Sequence, residues 1–143
     1  MRSLKELMDL TGRAALITGG AGHIGQAMGE ALAELGASVA LLDMEQDKCT
    51  EAANRIHNEH GVETIPLIVD LADEEATRAS VREATKRLGR LDILIHCAGY
   101  VGTMKAPGWA VPFEQQTVDA WDAAMRVNLT SAFVIVQEGR KAI

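Results

Sequence analysis

The chain is predicted to fold as an α/β protein, a doubly wound parallel sheet with strand order 3-2-1-4. Three observations carry that expectation. Apolar runs of strand length alternate with stretches of helical period along the chain. That alternation implies parallel strands joined by right-handed helical crossovers. A glycine-rich turn, Gly19-Gly20-Ala21-Gly22-His23-Ile24-Gly25, stands between the first such run and the first helix. Asp43, Asp70 and Ala98-Gly99 then close the next three strands. In this architecture those strand ends face one crevice, where the strand order reverses.

Each element has its own signal. Met1 to Arg13 reads as a polar-flanked lead-in. Ala14 to Ile17 is a short apolar run, closed by Thr18 and Gly19. From Ile24 the period changes. Ile24, Ala27, Met28, Ala31, Leu32 and Leu35 mark one face of a helix, and Gly36 stops it. Ser38 to Leu42 is the second strand, ending at Asp43. Glu45 to His60 is a polar helix with Cys49, Ala52, Ala53 and Ile56 inward and Gly61 at its end. Thr64 to Val69 is the third strand. Pro66 lacks an N–H for the ladder, which places this strand at a sheet edge. Asp73 caps a helix to Leu88, with Thr77, Val81, Ala84 and Leu88 inward and Gly89 as the stop. Asp92 to His96 is the fourth strand. A loop runs from Tyr100 to Gln116. Thr117 caps a last helix with Trp121, Met125, Leu129, Ala132, Phe133 and Val136 on one face, a stripe that core packing suffices to explain.

Composition bounds the function. The 143 residues are 48% hydrophobic and 24% charged, enough for one globular domain with a real core. A net charge of −6 argues against general nucleic-acid binding. No apolar run reaches membrane-spanning length, and Met1 to Leu10 does not read as a signal peptide. Cys49 and Cys97 lie in different elements without metal-like spacing. They read as reduced thiols of a cytoplasmic protein. The four histidines form no ligand cluster, so no metal is expected.

The glycine turn has a chemical reading. A helix N-terminus offers free N–H groups and partial positive charge, which attract phosphate. Glycines there let the backbone reach a pyrophosphate and let the helix pack close to the strand. Gly20-Ala21-Gly22-His23-Ile24-Gly25 fits G-x-G-x-x-G; a tight turn without a ligand is the plain alternative. Asp43 can accept both ribose hydroxyls of adenosine and would repel a 2′-phosphate. No Arg or Lys lies in the turn or beside Asp43, and Lys48 is the nearest. NAD is therefore favoured over NADP, with a solvated strand-end carboxylate as the alternative for Asp43. Asp70 can accept from the adenine amino group or form a turn with Asp73.

These residues resemble the N-terminal part of a short-chain dehydrogenase/reductase, from about Leu10 onward. Thr18-Gly19 with Gly25, Asp70-Leu71, Cys97-Ala98-Gly99 in place of Asn-Ala-Gly, and Val127-Asn128-Leu129-Thr130 carry the match. The resemblance implies a Rossmann-like fold in which Gly19, Gly22, His23, Ile24 and Gly25 contact the cofactor. It implies that Asp43 holds the ribose, Asp70 and Leu71 frame the adenine, and Ala98 and Gly99 line the cofactor wall. Asn128 matches the family's active-site asparagine, whose helix backbone helps hold a water in the proton relay. The implied activity is NAD-dependent hydride transfer between nicotinamide and an alcohol or carbonyl substrate, in a dimer or tetramer whose interface commonly uses the last helix.

There are departures from the family pattern. His23 stands where the middle glycine falls, with Gly22 beside it. Gly-x-x-Gly-x-x-Gly also occurs in the family's longer, sugar-nucleotide-modifying branch. The family's Tyr-x-x-x-Lys pair supplies its general acid and base. The one tyrosine is Tyr100, with Met104 four residues on and Lys105 one further. Tyr100 is thus expected beside the cofactor or substrate mouth, not as the acid–base group. Residues 1–143 are expected to be the N-terminal part of a dinucleotide-binding domain. Its C-terminal strands would be missing, and it would be unable to complete proton transfer alone. An epimerase or dehydratase of the longer branch and a non-catalytic dinucleotide-binding module are the alternatives.

Overall fold

Four apolar runs become the strands of one parallel sheet: β1 (Ala14–Thr18), β2 (Ser38–Asp43), β3 (Thr64–Ile68) and β4 (Ile93–His96). The computed structural model describes residues 3–101 and 107–140, and within them the strand order is β3-β2-β1-β4, as the sequence predicts. Pro66 lies opposite Leu41 in the edge strand β3, where its missing N–H breaks no inner ladder. Thr18 pairs with Leu42 on one side and His96 on the other. The C-terminal ends of the three strands therefore lie side by side.

Helices cover both faces. α2 (His23–Glu34) and α3 (Gln46–His60) lie on one face, over Ile17, Val39 and Leu41, with Ala33, Ala52, Ala53 and Ile56 turned to them. α4 (Glu74–Leu88) and α6 (Ser131–Gly139) lie on the other, where Val81, Ala84 and Ile135 pack with Leu16, Ala40, Leu42 and Ile65. Alternation along a strand sends Leu16 and Ile17 to opposite faces. β1 is central, and all five of its residues are buried. Burying each of Leu16, Ile17, Leu41 and Leu42 in full contributes about 1.5–3 kcal/mol.

The predicted helix ends hold. Asp73 accepts the Ala76 N–H at 2.9 Å and Thr117 accepts the Ala120 N–H at 3.2 Å. Gly61 and Gly89 close α3 and α4 in the left-handed conformation.

Three expectations are corrected. The lead-in contains a short helix, α1 (Leu4–Met8). Its capping box joins Ser3 and Glu6, side chain to backbone in both directions. In α2 most of the apolar stripe found by periodicity faces outward: Ile24 is 66% exposed and Ala27, Met28 and Ala31 are exposed, while Leu32 packs against the core. The packed face is Gly25, Gly29 and Ala33. A Cβ on Gly29 would lie 3.1 Å from Ile56 Cδ1, so close approach selects the small face over the apolar one. The last helix is not α-helical throughout. α5 (Val118–Met125), a π-helical turn (Arg126–Thr130) and α6 follow one another. The stripe expected in the core leaves Trp121, Leu129, Phe133 and Val136 exposed, while Ala120, Ala124, Val134 and Ile135 are buried. Ala132 to Val136 is apolar at every position, so period alone does not choose a face.

At the other end of the sheet Asp92 ties β1 to β4. Its carboxylate accepts the Ala14 N–H at 2.9 Å and pairs with Arg90 and Arg13. Its bond to Arg90 holds this carboxyl well below the usual carboxylate range, with the Ala14 N–H and Arg13 adding to the effect. A depressed carboxylate contributes stability above its unfolded pKa of about 4 and loses it as pH falls below. Asp92→Asn should cost about 1–3 kcal/mol in denaturant unfolding at neutral pH. The difference from wild type should shrink toward zero in strong acid. A difference independent of pH contradicts the assignment.

Candidate functional site

The end of β1 and the segment after β4 meet at backbone distance. Gly19 has φ 66°, and a Cβ there would lie 2.8 Å from the Ala98 nitrogen. Only glycine satisfies both conditions. Thr18, fully buried beneath it, accepts the Ala98 N–H at 3.2 Å and lies 2.8 Å from His96 Nδ1. Gly25 sits under the turn, where a Cβ would overlap the Gly19 carbonyl oxygen.

The turn delivers the chain into α2 without blocking its N-terminus. Gly22 is the N-cap, provides no side-chain cap, and is followed by no acidic residue in the first turn. α4 is the contrast: Asp73 caps it, and Glu74 and Glu75 occupy its first turn. Among these two helices, α2 has the N-terminus whose N–H groups and dipole suit an anion.

Asp43 faces the same turn from the end of β2. One carboxylate oxygen accepts the Ala21 N–H at 2.9 Å and the other accepts the Glu45 N–H at 3.1 Å. Asp70 accepts the Ala72 N–H at 2.9 Å, and its carbonyl accepts the Asp73 N–H at 3.0 Å. The turn-forming role left open for Asp70 is therefore present. Asn128 lies in the π-helical turn, a local geometry frequent at functional sites. Its side chain accepts the Tyr100 N–H and donates to the Tyr100 carbonyl at 3.4 Å. The Tyr100 ring meets Trp109 edge to face, with centroids 5.5 Å apart.

A cleft of about 330 Å³ opens between these strand ends. Gly19, Gly22, Asp43, Asp70, Leu71, Ala98 and Gly99 line it, seven residues singled out from the sequence. Tyr100, expected at the mouth, also lines it. His23 and Ile24 instead begin α2 exposed, Gly25 lies below the turn, and Asn128 stands behind Tyr100. Sequence reasoning missed Leu42, Met44, Val69, Ala72 and Val127 as lining residues. Their signal was position alone, each being one or two places from a residue already named. Wider hollows of about 510 and 520 Å³ lie beside α6 and α1, and neither gathers strand ends. The Met104 and Lys105 comparison lies outside the described residues, as does the chain end at 141–143.

An extended dinucleotide fits what the cleft offers. There is an uncapped helix N-terminus for the pyrophosphate, a strand-end carboxylate for ribose hydroxyls, and apolar Leu42, Val69, Leu71 and Val127 for a flat base. Among the described residues no His, Cys, Asp and Glu group could hold a metal ion.

A doubly wound parallel sheet with a glycine turn into its first crossover helix defines a Rossmann-like α/β protein. The chain belongs to the short chain dehydrogenase family, whose model matches residues 13–143. It is 33% identical over 130 residues to the rhamnolipids biosynthesis 3-oxoacyl-[acyl-carrier-protein] reductase of Pseudomonas aeruginosa, covering 91% of this chain and 47% of that protein. The NAD+-bound xylitol dehydrogenase structure aligns with TM-score 0.81 at 30% identity, over 93% of this chain and 48% of that one. L-sorbose reductase from Gluconobacter frateurii, complexed with NADPH and L-sorbose, aligns with TM-score 0.84 at 26% identity, over 94% of this chain and 49% of that one. The chain spans about half the length of the curated relatives it matches.

The two thiols differ in setting. Cys49 is fully buried, and burial, with the Asp43 charge adding to it, pushes its thiol up to about 11. Cys97 is partly exposed and lines the cleft. Native protein treated with a thiol reagent should label Cys97 well before Cys49, read by peptide mass; the reverse order contradicts this geometry.

Proposed function

We propose that this chain supplies the cofactor-binding part of an oxidoreductase that moves hydride between nicotinamide and a small alcohol or carbonyl substrate, with NAD preferred over NADP. One observation carries the proposal: Asp43 stands at the end of β2, bonded to Ala21 of the glycine turn and lining the cleft. Family membership supports the chemistry, since the relatives are named as dehydrogenases and reductases. Both NAD+ and NADPH occur among solved relatives, so the preference rests on this chain's own charges. A 2′-phosphate beside Asp43 would meet a carboxylate, and Lys48 on α3 is not among the residues lining the cleft.

The nicotinamide ring supplies the hydride chemistry when the cofactor is bound. This chain's residues bind and orient. The first-turn N–H groups of His23, Ile24 and Gly25 hold the pyrophosphate. Asp43 accepts from the ribose hydroxyls, Asp70 and Leu71 frame the adenine, and Ala98 and Gly99 form the wall. Asn128 fixes the Tyr100 backbone at the mouth. By the family pattern its own helix backbone holds a water of the proton relay. Tyr100 is a wall residue here, because its backbone is held by Asn128 and its ring by Trp109. The whole protein is proposed to be a cytoplasmic homo-oligomer, its interface using the exposed Trp121, Leu129, Phe133 and Val136 stripe.

Calorimetric titration of the intact protein tests the reading. NAD should bind more tightly than NADP. Asp43→Ser should lower the NAD-to-NADP affinity ratio by about tenfold or more, a factor of ten being 1.4 kcal/mol. Equal affinities in the wild type, or an unchanged ratio in the variant, would refute the assignment of Asp43.

A further inference from the structure

We infer that Arg55, on α3 and outside the cleft, is a positioning residue for the cofactor turn and acts through Gln26. The inference rests on the reading that this turn holds a dinucleotide.

Ala21 is the non-glycine residue at the crest of the turn, and its peptide groups are held from two directions. Its N–H donates to Asp43 at 2.9 Å. Its carbonyl accepts the Gln26 side-chain N–H at 2.6 Å. The Gln26 carbonyl oxygen in turn accepts from Arg55 at 2.9 Å. Arg55 is itself held by Glu30 on α2 and, at 3.9 Å, by Glu59 on its own helix. A linked series of contacts therefore runs from the two carboxylates through the guanidinium and the amide to the turn.

The residue types in this series are not interchangeable. The Ala21 carbonyl only accepts and the guanidinium only donates, so the bridging group must donate at one end and accept at the other. The amide of Gln26 does both, and its two partners fix its orientation. Arg55 reaches Glu30 and Gln26 with different nitrogens of one rigid fork, whereas a lysine ammonium is a single point on a flexible stem. Arg55 is not among the residues lining the cleft. Its effect on binding is to keep the Ala21 peptide set before the cofactor arrives, which lowers the ordering cost of binding.

A purely structural role, the cross-link of α2 to α3 through Glu30, makes a different forecast. The test is NAD titration of the intact protein, with thermal unfolding recorded for every variant. Arg55→Ala should raise the Kd about three- to tenfold, the factor one hydrogen bond is worth. Arg55→Lys should not restore it. Gln26→Leu with Arg55→Ala should bind no more weakly than Gln26→Leu alone, because both act through one contact. Glu30→Ala, which removes the ion-pair arm of the α2–α3 cross-link and leaves the Gln26 bond, should lower Tm with the Kd within about twofold of wild type. An unchanged Kd in Arg55→Ala, additive losses in the double variant, rescue by lysine, or a Glu30→Ala loss as large as that of Arg55→Ala would each overturn the inference. Wild-type protein that binds NAD while Arg55→Ala binds it equally well defeats this inference alone. Wild-type protein that binds neither NAD nor NADP defeats the reading of the cleft itself.

Discussion

The cleft depends on one constraint, the contact of backbone with backbone where β1 turns into α2. Gly19 lies against Ala98 and Gly25 lies under Gly19, each at a distance that a Cβ would close. Three consequences follow from that approach. The end of β1 and the segment after β4 become one wall. α2 points its N-terminus into the crevice. The helix settles so low on the sheet that Gly29 touches Ile56 and Leu41 rather than a larger side chain. An alanine at Gly25 would displace the turn and with it all three features.

Side-chain bonds then hold the loops around that crevice. Asp43 spans from β2 to the turn, Thr18 from β1 to Ala98, and Asn128 from the π-helical turn to Tyr100. In each case a residue on a regular element grips the backbone of an irregular one. Loops held this way lose little further freedom when a ligand arrives, which favours binding. Asp43 has a double part. It holds the turn, and in the proposed reading it also faces the ribose, which would join geometry and cofactor choice in one carboxylate.

Strand order, helix caps and seven of the residues lining the cleft were legible in the sequence, the caps from local signals and the lining from topology. Asp73 and Thr117 announce helix starts, Gly61 and Gly89 announce ends, and Pro66 marks an edge. Strand ends converge by topology, so naming Asp43, Asp70 and Ala98 required no knowledge of side-chain direction. Helix faces were harder to read. Hydrophobic period assigns the larger apolar stripe to the core, but α2 packs by its small residues and leaves Ile24 and Met28 outside. α6 is apolar on both sides, and contact with α4 decides between them. The Asn128–Tyr100 contact from the π-helical turn and the Gln26–Arg55 bridge join residues distant in sequence, which no local pattern reports.

The central claim is that a dinucleotide lies across the C-terminal ends of β1, β2 and β4 with its pyrophosphate on the first turn of α2. Amide hydrogen exchange of the intact protein, with and without saturating NAD, tests it most directly. Protection should rise at Gly19 to Gly25, around Asp43, and from Cys97 to Gly99, with little change at Asp92 and α1 on the far side of the sheet. Binding of NAD with no added protection in those three segments, or with protection confined to the hollows beside α1 or α6, would contradict the claim.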